Sequence, residues 1–182
     1  MLETERLILR QWKDADLPKF SALNCDAQVM EFFPSILSEQ ESNRMAAKIQ
    51  QLINKQGWGF WAVEEKTSEE FIGFVGLHKV RTNLPFYPNV EIGWRLAKPF
   101  WQKGYATEAA IAAMNYAFET LELKQVISFT AVTNLRSQAV MKKLGMVDVK
   151  KNFQHPEIET GNSLREHVLY QISRSQWMER AR

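Results

Sequence analysis

The sequence predicts an α+β fold built on a mixed sheet, and three observations predict it. Val90, Ile92, Trp94 and Leu96 alternate with polar residues or glycine, which is the period of a strand with one apolar face. An alanine-rich run follows and repeats apolar residues at helical spacing as far as Leu121. Helical segments separate the later strands and permit parallel pairing, whereas short turns separate earlier strands, which can pair as hairpins.

Local signals predict the elements of the N-terminal part. Residues 6–11 form a first strand, and Asp14 is a suitable N-cap for a short helix after it. Ser38 caps the next helix, and Glu41 three residues later completes a capping box. That helix ends near Gly57, since glycine commonly terminates helices.

The rest of the chain alternates strands with turns and helices. Asn134 is a suitable N-cap and Gly145 a suitable C-terminal stop for the helix between them. The predicted elements are strands at 59–64 and 71–80 around a polar turn at 66–70, a loop at 83–89, a strand at Gln125–Ala131, a helix at Leu135–Lys143, a hairpin of 146–153 and 164–172 around the loop 155–163, and a polar tail at 174–182 with one or two helical turns.

Composition narrows the class of protein. A chain of 182 residues with 45% hydrophobic residues is expected to form one domain over 1–182. A net charge of +2 without a compact basic block does not favour nucleic-acid binding, and no apolar run reaches membrane-spanning length. Cys25 is the only cysteine, and the three histidines lack metal-ligand spacing. We therefore expect a metal-free, cytoplasmic protein that does not bind membranes.

The strand and helix around residues 97–104 predict an anion site. Pro99 cannot continue the strand ladder, and Gly104 suits a tight turn immediately before the helix. Backbone N–H groups converge at such a turn and at the helix start, and Lys103 adds a positive charge. Many strand-to-helix turns bind nothing, so a plain connection remains an alternative. Neither the P-loop nor the Rossmann glycine pattern is present.

Several motifs in fixed order identify a family resemblance. The motifs are Glu-Thr-Glu-Arg-Leu-Ile-Leu-Arg from Glu3, Glu-Ile-Gly-Trp from Glu91, Trp-Gln-Lys-Gly-Tyr-Ala-Thr-Glu-Ala from Trp101, and Asn134-x-x-Ser137 ahead of Met-Lys-Lys-Leu-Gly-Met. Nearly the whole chain resembles the GNAT N-acetyltransferases, and more narrowly the RimJ/RimL branch, which acetylates ribosomal-protein N-termini and other amines. The resemblance implies the GNAT fold, a central mixed, mostly antiparallel sheet flanked by helices.

The resemblance also implies acetyl-CoA as cosubstrate. Backbone N–H groups of the turn would hold the pyrophosphate of acetyl-CoA. The pantetheine arm would pair like a strand along Trp94–Leu96, and Asn134 would form a hydrogen bond to this arm. Trp101 stands where the family usually has Gln or Arg. This difference hardly affects the expected pyrophosphate site, because backbone groups make the contacts to the pyrophosphate. The implied acetyl-CoA contacts are Trp94, Leu96, Gln102, Lys103, Gly104, Tyr105, Ala106, Thr107 and Asn134.

Two residues are candidates for catalysis. Glu91 would be the general base for the acceptor ammonium, although it could instead pair structurally with Arg95 on the same strand face or with an arginine across the sheet. Ser137 would be the acid for the leaving thiolate, since Met141 stands where many GNAT enzymes have a tyrosine. His78 is the next candidate for the base, although a structural role is the favoured interpretation of this histidine. His155 and His167 also rank below Glu91.

We expect the acceptor amine to enter between the early helices and the final hairpin loop. The segment 30–34 combines aromatics with Glu31, and the loop 155–161 adds Glu157 and Glu159, which would attract an ammonium group. A solvated loop and a core segment are the alternative. The resemblance implies acetyl transfer from acetyl-CoA to a primary amine by direct attack in a ternary complex, with a protein N-terminus as the first candidate acceptor. The alternatives are a small amine such as a polyamine or aminoglycoside, or a non-catalytic CoA-binding module, in a monomer or homodimer.

Overall fold

The structure is a computed structural model that describes residues 1–180. Nine strands are β1 Leu2–Glu3, β2 Leu7–Arg10, β3 Phe60–Glu65, β4 Glu70–Lys79, β5 Val90–Leu96, β6 Gln125–Ala131, β7 Val147–Asp148, β8 Phe153–Gln154 and β9 Glu166–Ser173. The α-helices are α1 Leu17–Cys25, α2 Glu39–Gln56, α3 Tyr105–Asn115, α4 Leu135–Lys143 and α5 Arg174–Arg180, with 3₁₀ turns at Asp14–Asp16 and Lys98–Phe100 and a π-helical segment at Tyr116–Thr120.

The chain forms two compact units, and β4 and β5 run through both of them. The first unit is Met1–Leu77 with Gly93–Ala113. Its strands pair antiparallel in the order β1-β2-β3-β4, and β5 follows β4, with the amide of Ala97 donating to the carbonyl of Ile72. The fully buried core includes Leu7, Leu9, Phe20 and Ile72. Helix α1 supplies Phe20, whose ring packs against Phe71 and Phe74 of β4, and α2 supplies the buried Ile49.

The second unit is His78–Ile92 with the chain from Met114 onward. Here β5 pairs parallel with β6, β6 pairs antiparallel with β9, and both β7 and β8 pair antiparallel with β9. Its core contains the fully buried side chains of Phe118, Ile127, Met141, Leu144 and Ile172. Since α3 lies between β5 and β6 in the chain, it supplies the crossover that a parallel pair needs.

The predicted fold class is confirmed, because the sheet is mixed and mostly antiparallel and helices accompany it. Strands β3, β4, β5 and β6 lie within two residues of their predicted bounds, and α4 has the predicted bounds. The predicted final hairpin is present, but its first arm is broken into β7 and β8, where Lys150 has a φ of 59°. Two residues of the predicted tail, 181 and 182, lie outside the described part of the chain. A single domain over 1–182 stays a prediction.

Helix capping follows the sequence at α2 and departs from it before α1. The Ser38 hydroxyl accepts from the Glu41 amide at 3.3 Å and the Glu41 carboxylate accepts from the Ser38 amide at 2.8 Å, as predicted. The Asp14 N-cap is wrong. Lys13 precedes the first turn, and its amide donates to the Asp16 carboxylate at 2.8 Å. Asp16 also pairs with Arg10 at 2.7 Å, and this buried ion pair fixes the chain where an Asp14 cap was expected.

Candidate active site

The segment 101–104, called the Gly104 turn below, joins the sheet to α3 in the first unit. Gly104 has a φ of 82° and Gln102 a φ of 60°, so the turn uses the left-handed region twice. The indole N–H of Trp101 donates to the carbonyl of Leu96 at 2.7 Å. Trp101 therefore fastens the turn to the end of β5, which gives this residue a physical role at the position where the family pattern has Gln or Arg. Gln102, Lys103 and Gly104 are exposed.

The start of α3 presents backbone donors next to this turn. The first helical hydrogen bond runs from the amide of Glu108 to the carbonyl of Gly104 at 3.0 Å. The amides of Tyr105, Ala106 and Thr107 precede that bond and have no acceptor within the helix. Together with the positive end of the helix and the charge of Lys103, they favour an anion. A left-handed glycine directly precedes the helix start, as predicted, and binding of an anion there stays a prediction.

Three residues, Thr4, Arg6 and Glu108, hold the start of α3 against the N-terminal segment; we call them the N-terminal clasp. The Glu108 carboxylate accepts from the Thr4 hydroxyl at 2.6 Å and from the Arg6 amide at 2.9 Å, and it pairs with the Arg6 guanidinium at 2.6 Å. Arg6 also donates to the carbonyl of Lys103 at 3.0 Å and lies over the ring of Tyr105, 4.6 Å from its centroid. The N-terminal segment thus fixes the position of both the Gly104 turn and the start of α3.

Charge in the N-terminal clasp is well compensated. Partial burial of Glu108 opposes its charged form, but hydrogen bonds from Thr4 and Arg6 outweigh burial and hold the pKa of the carboxyl below its usual value. The hydrogen bond to Glu108 raises the pKa of Arg6. Thr4, Arg6 and Glu108 were not among the predicted site residues. Thr4 and Arg6 lie in the motif from Glu3 and Glu108 lies in the motif from Trp101, and neither motif shows what Arg6 contacts.

The candidate base Glu91 lies on β5 in the second unit and contacts His78 on β4. The Oε1 atom of Glu91 is 3.2 Å from Nδ1 of His78. The Glu91 side chain is 18% exposed, so the pair is sheltered but within reach of solvent. Arg95, the structural partner considered for Glu91, instead donates to Asn24. The first and second candidates for the base are therefore hydrogen-bonded to each other.

Strands β5 and β6 form a short parallel ladder. Their register consists of one residue pair, Glu91 opposite Ile127. One residue further along β5, the carbonyl of Ile92 accepts from the Ser128 hydroxyl at 2.9 Å, so a side chain satisfies this carbonyl. Trp94 and Leu96, the residues expected along the CoA arm, lie in the half of β5 that follows.

The candidate residues Asn134 and Ser137 lie together at the start of α4. The side-chain oxygen of Asn134 accepts from the amide of Ser137 at 3.1 Å, and its nitrogen donates to the Thr130 hydroxyl at 2.9 Å. Asn134 is thus the N-cap, as predicted, and one of its two N–H groups is occupied by Thr130. Met141, at the position where many GNAT enzymes have a tyrosine, is fully buried. The helix offers no acid there.

The final hairpin loop belongs to a cluster of aromatic rings. His155 and His167 lie 4.9 Å apart between ring centroids, and Phe129 and Phe153 pack against both. Burial lowers the pKa of His155 and lowers that of His167 to about 4, so the rings are neutral at pH 7. Glu157, which was expected to attract an ammonium group, forms an ion pair with Arg81. Its charge is therefore partly compensated within the protein.

Residues 1–180 lack two features that other classes of protein have. Within that range no group of three or more His, Cys, Asp or Glu side chains is arranged to hold a metal ion. None of the helices in that range is both long enough and apolar enough to cross a membrane.

Comparison with known proteins identifies the family of this chain. The model of the acetyltransferase (GNAT) domain matches residues 6–147. The uncharacterized protein YkkB of Bacillus subtilis strain 168 is 30% identical over 148 residues, which is 80% of this chain and 84% of YkkB.

Two solved structures are similar over nearly their whole length. An acetyltransferase of the GNAT family from Bacillus anthracis has a TM-score of 0.79 and 25% identity, covering 96% of this chain and 98% of that one. The spermidine N-acetyltransferase from Vibrio cholerae, solved with CoA and spermine, has a TM-score of 0.74 and 21% identity, covering 96% and 99%. With a family model that matches most of its length, this chain belongs to the GNAT acetyltransferase family and is an acetyl-CoA-dependent N-acetyltransferase.

Proposed function

We propose that the enzyme transfers acetyl from acetyl-CoA to a primary amine by direct attack in a ternary complex. The observation that carries this proposal is the Gly104 turn, whose exposed backbone runs into the N-terminus of α3. Pyrophosphate is the part of acetyl-CoA that such a site suits. The amides of Gln102, Lys103, Gly104, Tyr105 and Ala106 and the Thr107 hydroxyl would bind it.

Strand β5 would bind the rest of the cosubstrate. The arm would pair like a strand along Trp94 and Leu96, and a backbone N–H there would stabilise the negative charge that develops on the thioester oxygen. The short ladder between β5 and β6 supports this proposal, because backbone groups beyond Ile92 are not committed to a long parallel pairing. Asn134 has one remaining N–H and would donate it to the arm.

Glu91 would take the proton from the acceptor ammonium. His78 lies against the same carboxylate at 3.2 Å and would steady it or share its proton. The neutral amine then forms a bond to the thioester carbon, and the C–S bond breaks when the intermediate collapses. Ser137 would give its hydroxyl proton to the departing thiolate and regain one from the attacking nitrogen, which loses its second proton as the amide forms. A thiolate is a good leaving group and makes only a small demand on this acid. Holding both reactants together can supply about 7–11 kcal/mol of the barrier reduction.

The acceptor we propose first is a protein N-terminal amine, on the resemblance to the RimJ/RimL branch. The second candidate is a small amine, and the similarity to a protein named as a spermidine N-acetyltransferase favours including polyamines in any test. A third possibility, a CoA-binding protein without turnover, predicts binding without release of free CoA.

Release of free CoA tests the proposal directly. The purified protein is incubated with acetyl-CoA and either a peptide with a free N-terminus, the same peptide with a blocked N-terminus, or spermidine. We expect release with at least one free amine and none with the blocked peptide. Calorimetric binding of CoA without release from any amine would contradict the proposed catalysis and leave a binding module. The Glu91→Gln variant serves as the matched protein control, since it keeps the side-chain size.

A further inference from the structure

Arg95, the sixth residue of β5, is a buried cation in the first unit. Only 8% of its surface is exposed. Its guanidinium lies 4.0 Å from the ring centroid of Phe33 and 5.4 Å from that of Phe74. The Nη1 atom donates to the side-chain oxygen of Asn24 at 2.6 Å. These contacts hold the guanidinium in one place between aromatic rings.

None of these contacts supplies a negative charge. Asn24 is fully buried and uses its own nitrogen to donate to the buried Ser42 hydroxyl at 2.9 Å, so Arg95 bonds to a neutral amide network. Within residues 1–180, the Nε atom of Arg95 is buried and has no hydrogen-bond acceptor. No ion pair of Arg95 occurs among the described residues.

Arg10 shows how the same unit treats an equally buried arginine. It is also 8% exposed, but its guanidinium contacts two carboxylates, Asp16 at 2.7 Å and Glu64 at 2.6 Å. A buried charge is unfavourable unless it is paired and hydrogen-bonded. The structure meets that requirement at Arg10 and leaves it unmet at Arg95.

The guanidinium of Arg95 keeps its charge at neutral pH. Burial lowers its pKa to about 10, which is still far above 7. Cation–π contact with Phe33 and Phe74 offsets part of the cost of burial but leaves the net charge unchanged. The site therefore favours an anion.

One of the two aromatic rings that contact the guanidinium of Arg95 is exposed to solvent. Phe33 is 36% exposed and lies in the turn segment between α1 and α2, outside any helix or strand. Phe33 is thus the more exposed of the two aromatic rings that contact the guanidinium. A ligand that reached it would meet the planar fork of Nε and Nη atoms between aromatic rings, which matches the flat shape of a carboxylate.

We propose that Arg95 binds a carboxylate of the acceptor substrate, so that the acceptor is an amine that also carries a carboxylate. This inference rests on the proposed acetyl transfer to an amine. It argues against polyamines, which carry only positive charges and would be repelled by a buried guanidinium. It also changes the expectation for the segment 30–34, because Phe33 stacks on a cation of the protein itself.

A binding experiment tests the site without turnover. The protein is labelled with ¹⁵N-arginine, and the Nε–H signal of Arg95 is assigned by its loss in Arg95→Lys. We expect sodium acetate to shift this signal saturably, whereas sodium chloride at equal ionic strength and neutral acetamide do not. Equal responses to acetate, chloride and acetamide would overturn the proposal. A saturable response to phosphate but not to acetate would overturn the assignment of a carboxylate.

An activity experiment tests the role of the site in selecting the acceptor. Amino acids with a terminal amine, from glycine to 6-aminohexanoate, are compared with n-alkylamines of matched length and with spermidine. We expect at least one acid to exceed its matched amine at least tenfold in kcat/KM, mainly through a lower KM. Arg95→Met should abolish this preference while retaining turnover of the alkylamine. If Arg95→Met does not fold, Arg95→Lys replaces it and should reduce the preference.

Arg44→Met is the matched control, since Arg44 is an exposed arginine on α2 in the same unit. It should keep the wild-type preference. An unchanged preference in the folded Arg95 variant, or turnover of amines with no preference for any acid, would refute the inference. Acetate binding at Arg95 without turnover of any amine would contradict the proposed function and leave the anion site standing.

Discussion

Replacing Gly104 with alanine should weaken CoA binding more than its effect on stability explains. The φ of 82° places this residue in the left-handed region, where a side chain costs about 1–2 kcal/mol. The added Cβ would lie 3.4 Å from Nη2 of Arg6, an ordinary contact with a half-exposed side chain, so backbone strain dominates. For a chain of this size that strain lowers Tm by about 2–8 °C. A Cβ that also blocks the pyrophosphate should raise the Kd for CoA by more than about tenfold, or 1.4 kcal/mol.

Gly57→Ala provides the matched control for backbone strain. Gly57 terminates α2 with the same φ of 82°, and an added Cβ there would meet no atom within 4 Å. We expect both variants to lose similar stability in thermal melts and only Gly104→Ala to lose CoA affinity by calorimetry. If the two variants have equal CoA affinity, the Gly104 turn does not bind the pyrophosphate. Gly104→Val should act in the same direction and more strongly, because a β-branched side chain tolerates this φ less well.

Two further predictions concern the second unit. Glu91→Gln should lower turnover about 10²–10⁴-fold with unchanged CoA affinity. His78→Gln should lower turnover less than Glu91→Gln does. A larger loss of turnover in His78→Gln would show that His78 is the base. His167 has a pKa of about 4 in the folded chain against 6.5 ordinarily, so between these values the unfolded chain binds more protons. Stability should be full above about pH 6.5 and fall toward pH 4 by on the order of 3 kcal/mol in urea titrations. His167→Gln should flatten this dependence, and an equally steep dependence in that variant would assign it to other groups.

Elements with local signals were predictable from the sequence. The bounds of α4 follow from an N-cap at Asn134 and a left-handed glycine at Gly145, and both signals lie next to the helix they delimit. The capping box of Ser38 and Glu41 is local in the same sense. Asp14 failed as a cap because its competitor Asp16 is held by Arg10 on β2, a contact between separate elements.

Contacts that depend on strand register and on distant segments were not predictable. Glu91 meets His78 because β4 and β5 are adjacent and aligned, and neither strand pattern specifies that alignment. Arg95 was considered as an alternative partner of Glu91 on the same strand face, but it contacts Asn24 and Phe33, which come from α1 and the turn after it. The sequence shows which side chains carry a charge, but contacts between distant segments determine which of those charges are neutralised.

The N-terminal clasp also affects the timing of folding. Thr4 and Glu108 are separated by 104 positions, yet they meet at 2.6 Å beside the Gly104 turn. A nascent chain cannot close this contact until residue 108 has left the ribosome, by which time β1 to β5 have been synthesised. The capacity to bind CoA should therefore appear late in folding, after long-range closure and not with the local formation of α3. Deleting the first six residues should impair ligand affinity even though none of them belongs to the turn.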